Sequence, residues 1–235
     1  MSAESEEGSA ARPHRPIRSF VRREGRMTPA QTEALARLWP IYGLERGAAP
    51  YDWAAVFGRR ARVSFEIGFG AGHALLHRAE RDPDSDFVGC EVHRPGVGRV
   101  LHEADRRGLR NLRLIAEDAV EVLREAVAAA SLDEVIVEFP DPWHKKRHHK
   151  RRLVQTPFLD LVASRLKPGG DLRLATDWQP YAAWMLEVLQ AHPAFENRSP
   201  SGAGVPRPDS RPVTRFEARG ERLGHVVSDL HFRRR

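Results

Sequence analysis

From Arg62 onward the chain alternates short apolar runs with longer amphipathic ones, and this alternation limits its possible folds more than any other feature. The runs near 63–67, 86–91, 112–116, 133–139 and 170–176 have strand length and strand composition. The segments between and after them, 72–81, 95–108, 118–130, 155–166 and 179–191, place apolar residues at helical spacing. Parallel neighbours need a long crossover, which a helix supplies. The pattern therefore predicts an α/β fold with a doubly wound, mostly parallel sheet. Two more strands are expected near 194–197 and 223–232, separated by the Pro- and Gly-rich loop 198–212 without a helical pattern. They would form an antiparallel hairpin at the sheet edge, with the last of seven strands inserted antiparallel. In such a sheet ligands bind outside the carboxyl ends of the strands.

Three segments are expected: a disordered, then basic N-terminal arm over 1–26, a helix and connector over 27–61, and the main domain over 62–235. The helix has a clear start, with Thr28 as N-cap, Pro29 in the first turn and Gln31 to close a capping box, and Pro40 is expected to stop it. Tyr51, Trp53, Val56 and Phe57 are apolar anchors in the connector. No run approaches the ~18 apolar residues of a membrane helix, and Met1 to Ala11 lack the pattern of a signal peptide. A single cysteine, Cys90, excludes an internal disulfide, which fits a cytoplasmic protein. The net charge of +6 favours a polyanionic partner. Arg and Ala are abundant throughout, as a GC-rich genome would make them, so local clusters carry more weight than the total. Three of the four lysines fall between Lys145 and Arg152.

Phe65-Glu66-Ile67-Gly68-Phe69-Gly70-Ala71-Gly72 ends the first expected strand and opens a helix. Such a turn lets backbone approach a ligand and offers helix amides to it. A dinucleotide fingerprint would need glycine at 68, 70 and 73, and position 73 is histidine. An acid two residues before a Gly-x-Gly-x-Gly run is instead the form associated with S-adenosylmethionine enzymes. Glu91 closes the second strand, where a carboxylate can take both ribose hydroxyls, although NAD would be served equally. Asp118 closes the third strand, where it can accept from an adenine amino group or simply cap the next helix. A nicotinamide-dependent oxidoreductase and a non-catalytic RNA-binding protein on the same architecture are the competing readings.

Residues 139–152 read Phe-Pro-Asp-Pro-Trp-His-Lys-Lys-Arg-His-His-Lys-Arg-Arg. A stiff corner, Pro140-Asp141-Pro142-Trp143, runs into a stretch in which six of eight residues are Lys or Arg. The carboxylate can recognise or stabilise a base, and the cations beside it can hold a phosphate backbone. His144, His148 and His149 lack the spaced partners of a zinc site, and no metal is expected. Cys90, on a buried strand beside Glu91, reads as packing.

Taken together with Gly89-Cys90-Glu91-Val92-His93, Pro95-Gly96-Val97-Gly98, Asp118 to Leu123, Ala175-Thr176-Asp177-Trp178, Arg211 to Glu217 and Arg222-Leu223-Gly224-His225, these segments resemble the bacterial tRNA (guanine-N7)-methyltransferases of the TrmB type over roughly residues 60 to 232. The resemblance implies a class I S-adenosylmethionine-dependent methyltransferase of Rossmann-like fold, acting on tRNA. It implies transfer of the methyl to guanine N7, in the variable loop. Glu66, Glu91, Asp118 and Asp141 would line the cofactor site with Gly68 and Gly70, and Asp141 would also be catalytic. Lys145, Asp177, Thr214, Arg215, Phe216 and Glu217 would contact the substrate. Arg147, His148, His149, Lys150, Arg151 and Arg152 would touch RNA. Glu138 departs from the pattern, where a neutral residue is expected. Its carboxylate either points away from the site or raises the pKa of Asp141. Monomer and homodimer both stay open.

Overall fold

The computed structural model describes residues 19–20, 25–213, 217–218, 224 and 226–235. Helix α1 (Pro29–Tyr42) starts as its sequence implies: the Gln31 amide donates to Thr28 Oγ1, and the Thr28 amide donates to Gln31 Oε1. Pro40 does not stop it. So near the C-terminus a proline forfeits a single helical hydrogen bond. The last turn is also held from outside. Tyr42 is buried, the Gly43 amide donates to Trp39 O, and the Leu44 amide donates to Leu114 O at a sheet edge. The connector contains a short helix, α2 (Trp53–Phe57), capped by the Asp52 side chain, which buries Trp53 in the core.

The alternation predicted from Arg62 is present as β1 (Arg62–Ile67), α3 (His73–Arg81), β2 (Ser85–Cys90), α4 (Arg94–Arg106), β3 (Leu112–Ile115), α5 (Ala119–Glu125), β4 (Leu132–Glu138), α6 (Thr156–Arg165), β5 (Leu166–Thr176) and α7 (Gln179–Ala191). β6 (Phe195–Asn197) and β7 (Ser228–Arg234) follow. Among the described residues these strands form one seven-stranded sheet in the order β3-β2-β1-β4-β5-β7-β6. β1 to β5 pair parallel, and β7 lies between β5 and β6, antiparallel to both. The order turns back between β1 and β4, so the crevice between their carboxyl ends is the expected ligand position.

Two cores flank the sheet, as parallel strands covered on both faces require. α1, α3 and α4 enclose Leu38, Leu75, Val100, Leu101 and Leu112. α2, α5, α6 and α7 enclose Phe65, Leu123, Val135, Leu159 and Met185. The even-numbered residues of β1 face polar company instead. Ser64 Oγ donates to Glu134 Oε2 at 2.8 Å, and Glu134 accepts from Arg173 Nε at 2.8 Å.

On β5, buried Asp171 contacts His231 Nε2 at 2.9 Å and Arg233 Nε at 3.1 Å, both on β7. Burial pushes this carboxyl up, but the hydrogen bonds from His231 and Arg233 outweigh burial and hold it well below the usual carboxylate range. A depressed folded-state pKa stabilises fully above the unfolded value, near 4, and that stability is lost as pH falls further. Asp171→Asn should therefore cost about 3 kcal/mol at neutral pH and flatten the loss of stability below about pH 4. Urea unfolding at several pH values measures both.

Candidate active site

β1 runs into the glycine turn without a break, and the Gly68 amide donates to Cys90 O at 2.8 Å. Gly68 and Gly70 have φ of 71° and 55°, left-handed values that disfavour a side chain. The space where a Cβ would stand on either is open. From below, the N-terminus of α4 presses on this turn: a Cβ on Gly96 would lie 2.2 Å from Gly70 O. Glu91 then fixes the turn from the next strand. Its Oε2 accepts from the Gly70 amide at 2.9 Å and its Oε1 from the His93 amide at 2.8 Å. Each carboxylate oxygen keeps a lone pair for a ligand.

A cavity of about 530 Å³ opens above this turn, at the point where the strand order reverses. Gly68, Gly70, Glu91, Asp118 and Asp141 all line it, brought together from the ends of β1, β2, β3 and β4. Asp118 also caps α5, accepting from the Val120 amide at 3.0 Å. Cys90 lies on the cavity wall, but it is buried and its thiol bonds Glu117 O at 3.3 Å. Burial pushes that thiol well above its ordinary range, which suits packing and not nucleophilic chemistry.

Glu66 is not on the cavity wall. It is buried beneath the turn, where Arg78 Nη1 donates to its Oε2 at 2.7 Å. Arg78 also bonds the Glu138 carboxylate, so two acids share one buried guanidinium. Burial raises both carboxyls despite the pull of Arg78. The carboxylate of Glu138 thus pairs with α3, while Glu138 also lines the cavity.

The corner after β4 is strained. Phe139 and Trp143 have φ of 52° and 48°, and they bracket Pro140-Asp141-Pro142. Each such residue costs on the order of 1–3 kcal/mol unless its surroundings hold it. Four contacts do so. The Phe139 amide donates to Ala175 O at 2.8 Å, and the Arg211 guanidinium lies 5.5 Å from the Phe139 ring centroid. Trp143 Nε1 donates to Ser19 O at 3.0 Å, and Arg152 Nε donates to Pro142 O at 3.0 Å. The corner presents Asp141 exposed, and among the described residues its carboxylate has no hydrogen-bond partner.

The cationic stretch forms a 3-10 helix, Lys146–Arg151, directly after Lys145. Lys145, Lys146, Arg147, Lys150 and Arg151 are exposed, with Arg151 stacked 4.9 Å from the Trp143 ring centroid. His148 and His149 are half-buried. Arg152 overturns its expected RNA role: it is buried, 4.9 Å from the Tyr181 ring centroid and 5.4 Å from that of Trp184. Two aromatic rings and a carbonyl suit a planar guanidinium and turn it inward.

Glu217 also departs from expectation. It is buried, and both its oxygens accept from Arg211 Nη1 at 2.8 Å, while Asp229 holds the other edge of the same guanidinium. A carboxylate so engaged anchors its segment. Thr214, Arg215 and Phe216 lie outside the described residues, as does most of the basic arm. Asp177 stands half-buried just past β5, beside Trp178, whose ring His144 meets edge-on at 4.3 Å. Sequence reasoning gives no role to Arg78 or Arg211 and does not place Ser19 and Phe20 on the cavity wall. Arg78 has one signal, since Leu75 and Ala79 place it at the border of the apolar face of α3.

Solved structures of similar fold include the aminoglycoside resistance methyltransferase NpmB1, with a TM-score of 0.55, 16% identity, and coverage of 82% of this chain and 95% of that one. Another is a variant of the 16S rRNA (adenine(1408)-N(1))-methyltransferase from Catenulisporales acidiphilia, solved with its cosubstrate SAM, with a TM-score of 0.53, 17% identity, and coverage of 78% and 90%. The fold is that of the class I methyltransferases, with a cavity at the carboxyl ends of its strands. Residues 60–230 match the family model described as "Putative methyltransferase". Named tRNA (guanine-N(7)-)-methyltransferases from Pseudomonas putida and Pseudomonas aeruginosa are each 55% identical to the chain, covering 94% and 97% of it and 92% and 93% of their own lengths. The chain belongs to the tRNA (guanine-N(7)-)-methyltransferase family.

Proposed function

We propose that this protein transfers the methyl group of S-adenosylmethionine to N7 of a guanine in the variable loop of tRNA, with Asp141 as its catalytic residue. One observation carries the assignment of the residue. Glu91, Asp118, Glu66 and Glu138 are each bonded within the protein, whereas the Asp141 carboxylate is held on the cavity wall by a strained corner with no such partner among the described residues. The relatives' names support tRNA as the substrate and guanine N7 as the accepting atom. A cytoplasmic site of action belongs to the same reading. Among the described residues no helix is long and apolar enough to cross a membrane.

The residues present fit the cofactor. Open space over Gly68 and Gly70 admits a close ligand, Glu91 has a lone pair on each oxygen for a ribose hydroxyl, and Asp118 can accept from an adenine amino group while it caps α5. When bound, S-adenosylmethionine supplies an electrophilic methyl group on a sulfonium. Guanine N7 already has an in-plane lone pair, so attack needs no general base. The guanine ring gains positive charge as N7 takes the methyl group. Asp141 offsets that charge, and the rigid corner aligns the base. The guanine leaves its stack to reach the cavity. Lys145 and Asp177 contact it, and the exposed cations of the 3-10 helix hold the RNA backbone.

Unmodified tRNA transcripts given methyl-labelled S-adenosylmethionine, followed by aniline cleavage, test the assignment. Label on the RNA with one cleavage in the variable loop is expected. Label at another position discards the target, and no label discards tRNA as the substrate. Replacing Lys146, Arg147 and Lys150 together with alanine should lower the slope of log affinity against log salt by about 2, at ~0.7–0.9 per phosphate contact. Arg152 is kept in that variant because it supports the corner. An unchanged slope reduces the run to a solvated surface.

A further inference from the structure

We propose that the shelf between the 3-10 helix and the outer face of α7 is a second nucleotide subsite, which takes an unpaired base of the RNA other than the methylated guanine. The inference rests on tRNA being the substrate. Pro180, Ala183, Trp184 and Glu187 fall at i, i+3, i+4 and i+7 on α7, so they share one helical face. They line a hollow of about 330 Å³, whose other wall holds His144, His149 and Arg152. Trp178 also lines it, and His144 meets that ring edge-on at 4.3 Å.

Three features fit a base better than they fit core packing. First, Trp178 and Trp184 are half-buried and border an open hollow, since Ala183 between them is small and exposed. Second, Trp184 Nε1 is already spent on Val154 O at 2.8 Å, so what the indole offers a ligand is its ring surface. Flat rings of this kind hold unstacked bases in RNA recognition without reading sequence. Third, the Glu187 carboxylate in the lining can accept from base amino groups. The exposed Lys146, Arg147 and Lys150 of the neighbouring 3-10 helix would take the phosphates.

The base held here is distinct from the one methylated, because the hollow shares no lining residue with the cavity that contains Asp141. The two are mechanically joined. Buried Arg152 stacks on Trp184, contacts His149 Nε2 at 3.1 Å, and donates to Pro142 O, one residue past Asp141. A base seated on the shelf would thus fix the RNA relative to the corner.

Ala183→Leu fills the hollow from an exposed helical position and keeps the helix, because leucine is also a strong helix former. The expected result is a KM for tRNA transcript raised about tenfold, as loss of one stacked base implies, with kcat and S-adenosylhomocysteine affinity unchanged. Ala183→Ser, which leaves the hollow open, should behave as wild type. A second readout is independent of turnover. Transcript substituted with 4-thiouridine and irradiated with wild-type protein should give adducts within residues 178–187 or at His144 or His149. A wild-type tRNA KM in Ala183→Leu, or adducts confined to other peptides of a protein that methylates tRNA, overturns the subsite alone. Failure of the wild-type protein to bind or methylate tRNA overturns the substrate reading itself.

Discussion

Asp141→Asn should lower kcat for tRNA methylation by at least about 10³-fold, in line with loss of a positioned charge at a reacting centre. Binding of S-adenosylhomocysteine should stay within a few-fold of wild type. The substitution keeps volume and leaves the backbone of the corner unchanged, so it removes charge alone. The flanking geometry belongs to other groups: Ala175 O accepts from Phe139, Ser19 O from Trp143, and Pro142 O from Arg152. Asp141 makes none of these bonds. Single-turnover rates with saturating tRNA separate the chemical step from binding. Wild-type turnover in this variant would remove Asp141 from the chemistry, and a large loss of cofactor affinity would make it a binding residue instead.

Glu91→Gln should weaken S-adenosylhomocysteine binding by about 100-fold or more, since hydrogen bonds to a charged group contribute ~1.5–3 kcal/mol each. The loss has two sources. The amide brings one acceptor oxygen where the carboxylate brought two, so a ribose hydroxyl loses its charged partner. The amide nitrogen must also face either the Gly70 or the His93 amide, and a donor facing a donor loosens the glycine turn. Calorimetric titration measures the affinity, and thermal unfolding without ligand isolates the loosened turn. Unchanged affinity would place the ribose elsewhere. A wild-type melting point with weak binding would assign the whole effect to the lost ligand contact.

Much of this site is legible in the amino-acid order. Glu91 and Asp118 each follow a short apolar run, and a parallel sheet puts the ends of such runs at one rim. Pro140 and Pro142 announce a stiff corner around Asp141 because proline fixes φ. The capping box at Thr28 and Gln31 is a purely local device, and it forms as its spacing implies. Pro40 escapes the local rule because a tertiary contact outweighs it: burial of Tyr42 and pairing to Leu114 carry the helix on to Tyr42.

The sequence by itself determined the alternation of strand and helix, the open glycine turn, and the placing of acids at strand ends. Each follows from periodicity or covalent stiffness within a few residues. The tertiary structure alone decided which charges are spent. Glu66 and Glu138 meet on Arg78, which is 12 residues from one and 60 from the other. Arg211 joins Asp229, 18 residues away, to Glu217 and spends both acids on one guanidinium. Arg152 turns inward among Tyr181 and Trp184 while its neighbours Lys150 and Arg151 face water. A charge left in a protein interior must find a partner. Which partner it finds is a matter of distance between chain segments, and no local pattern in the sequence encodes that distance.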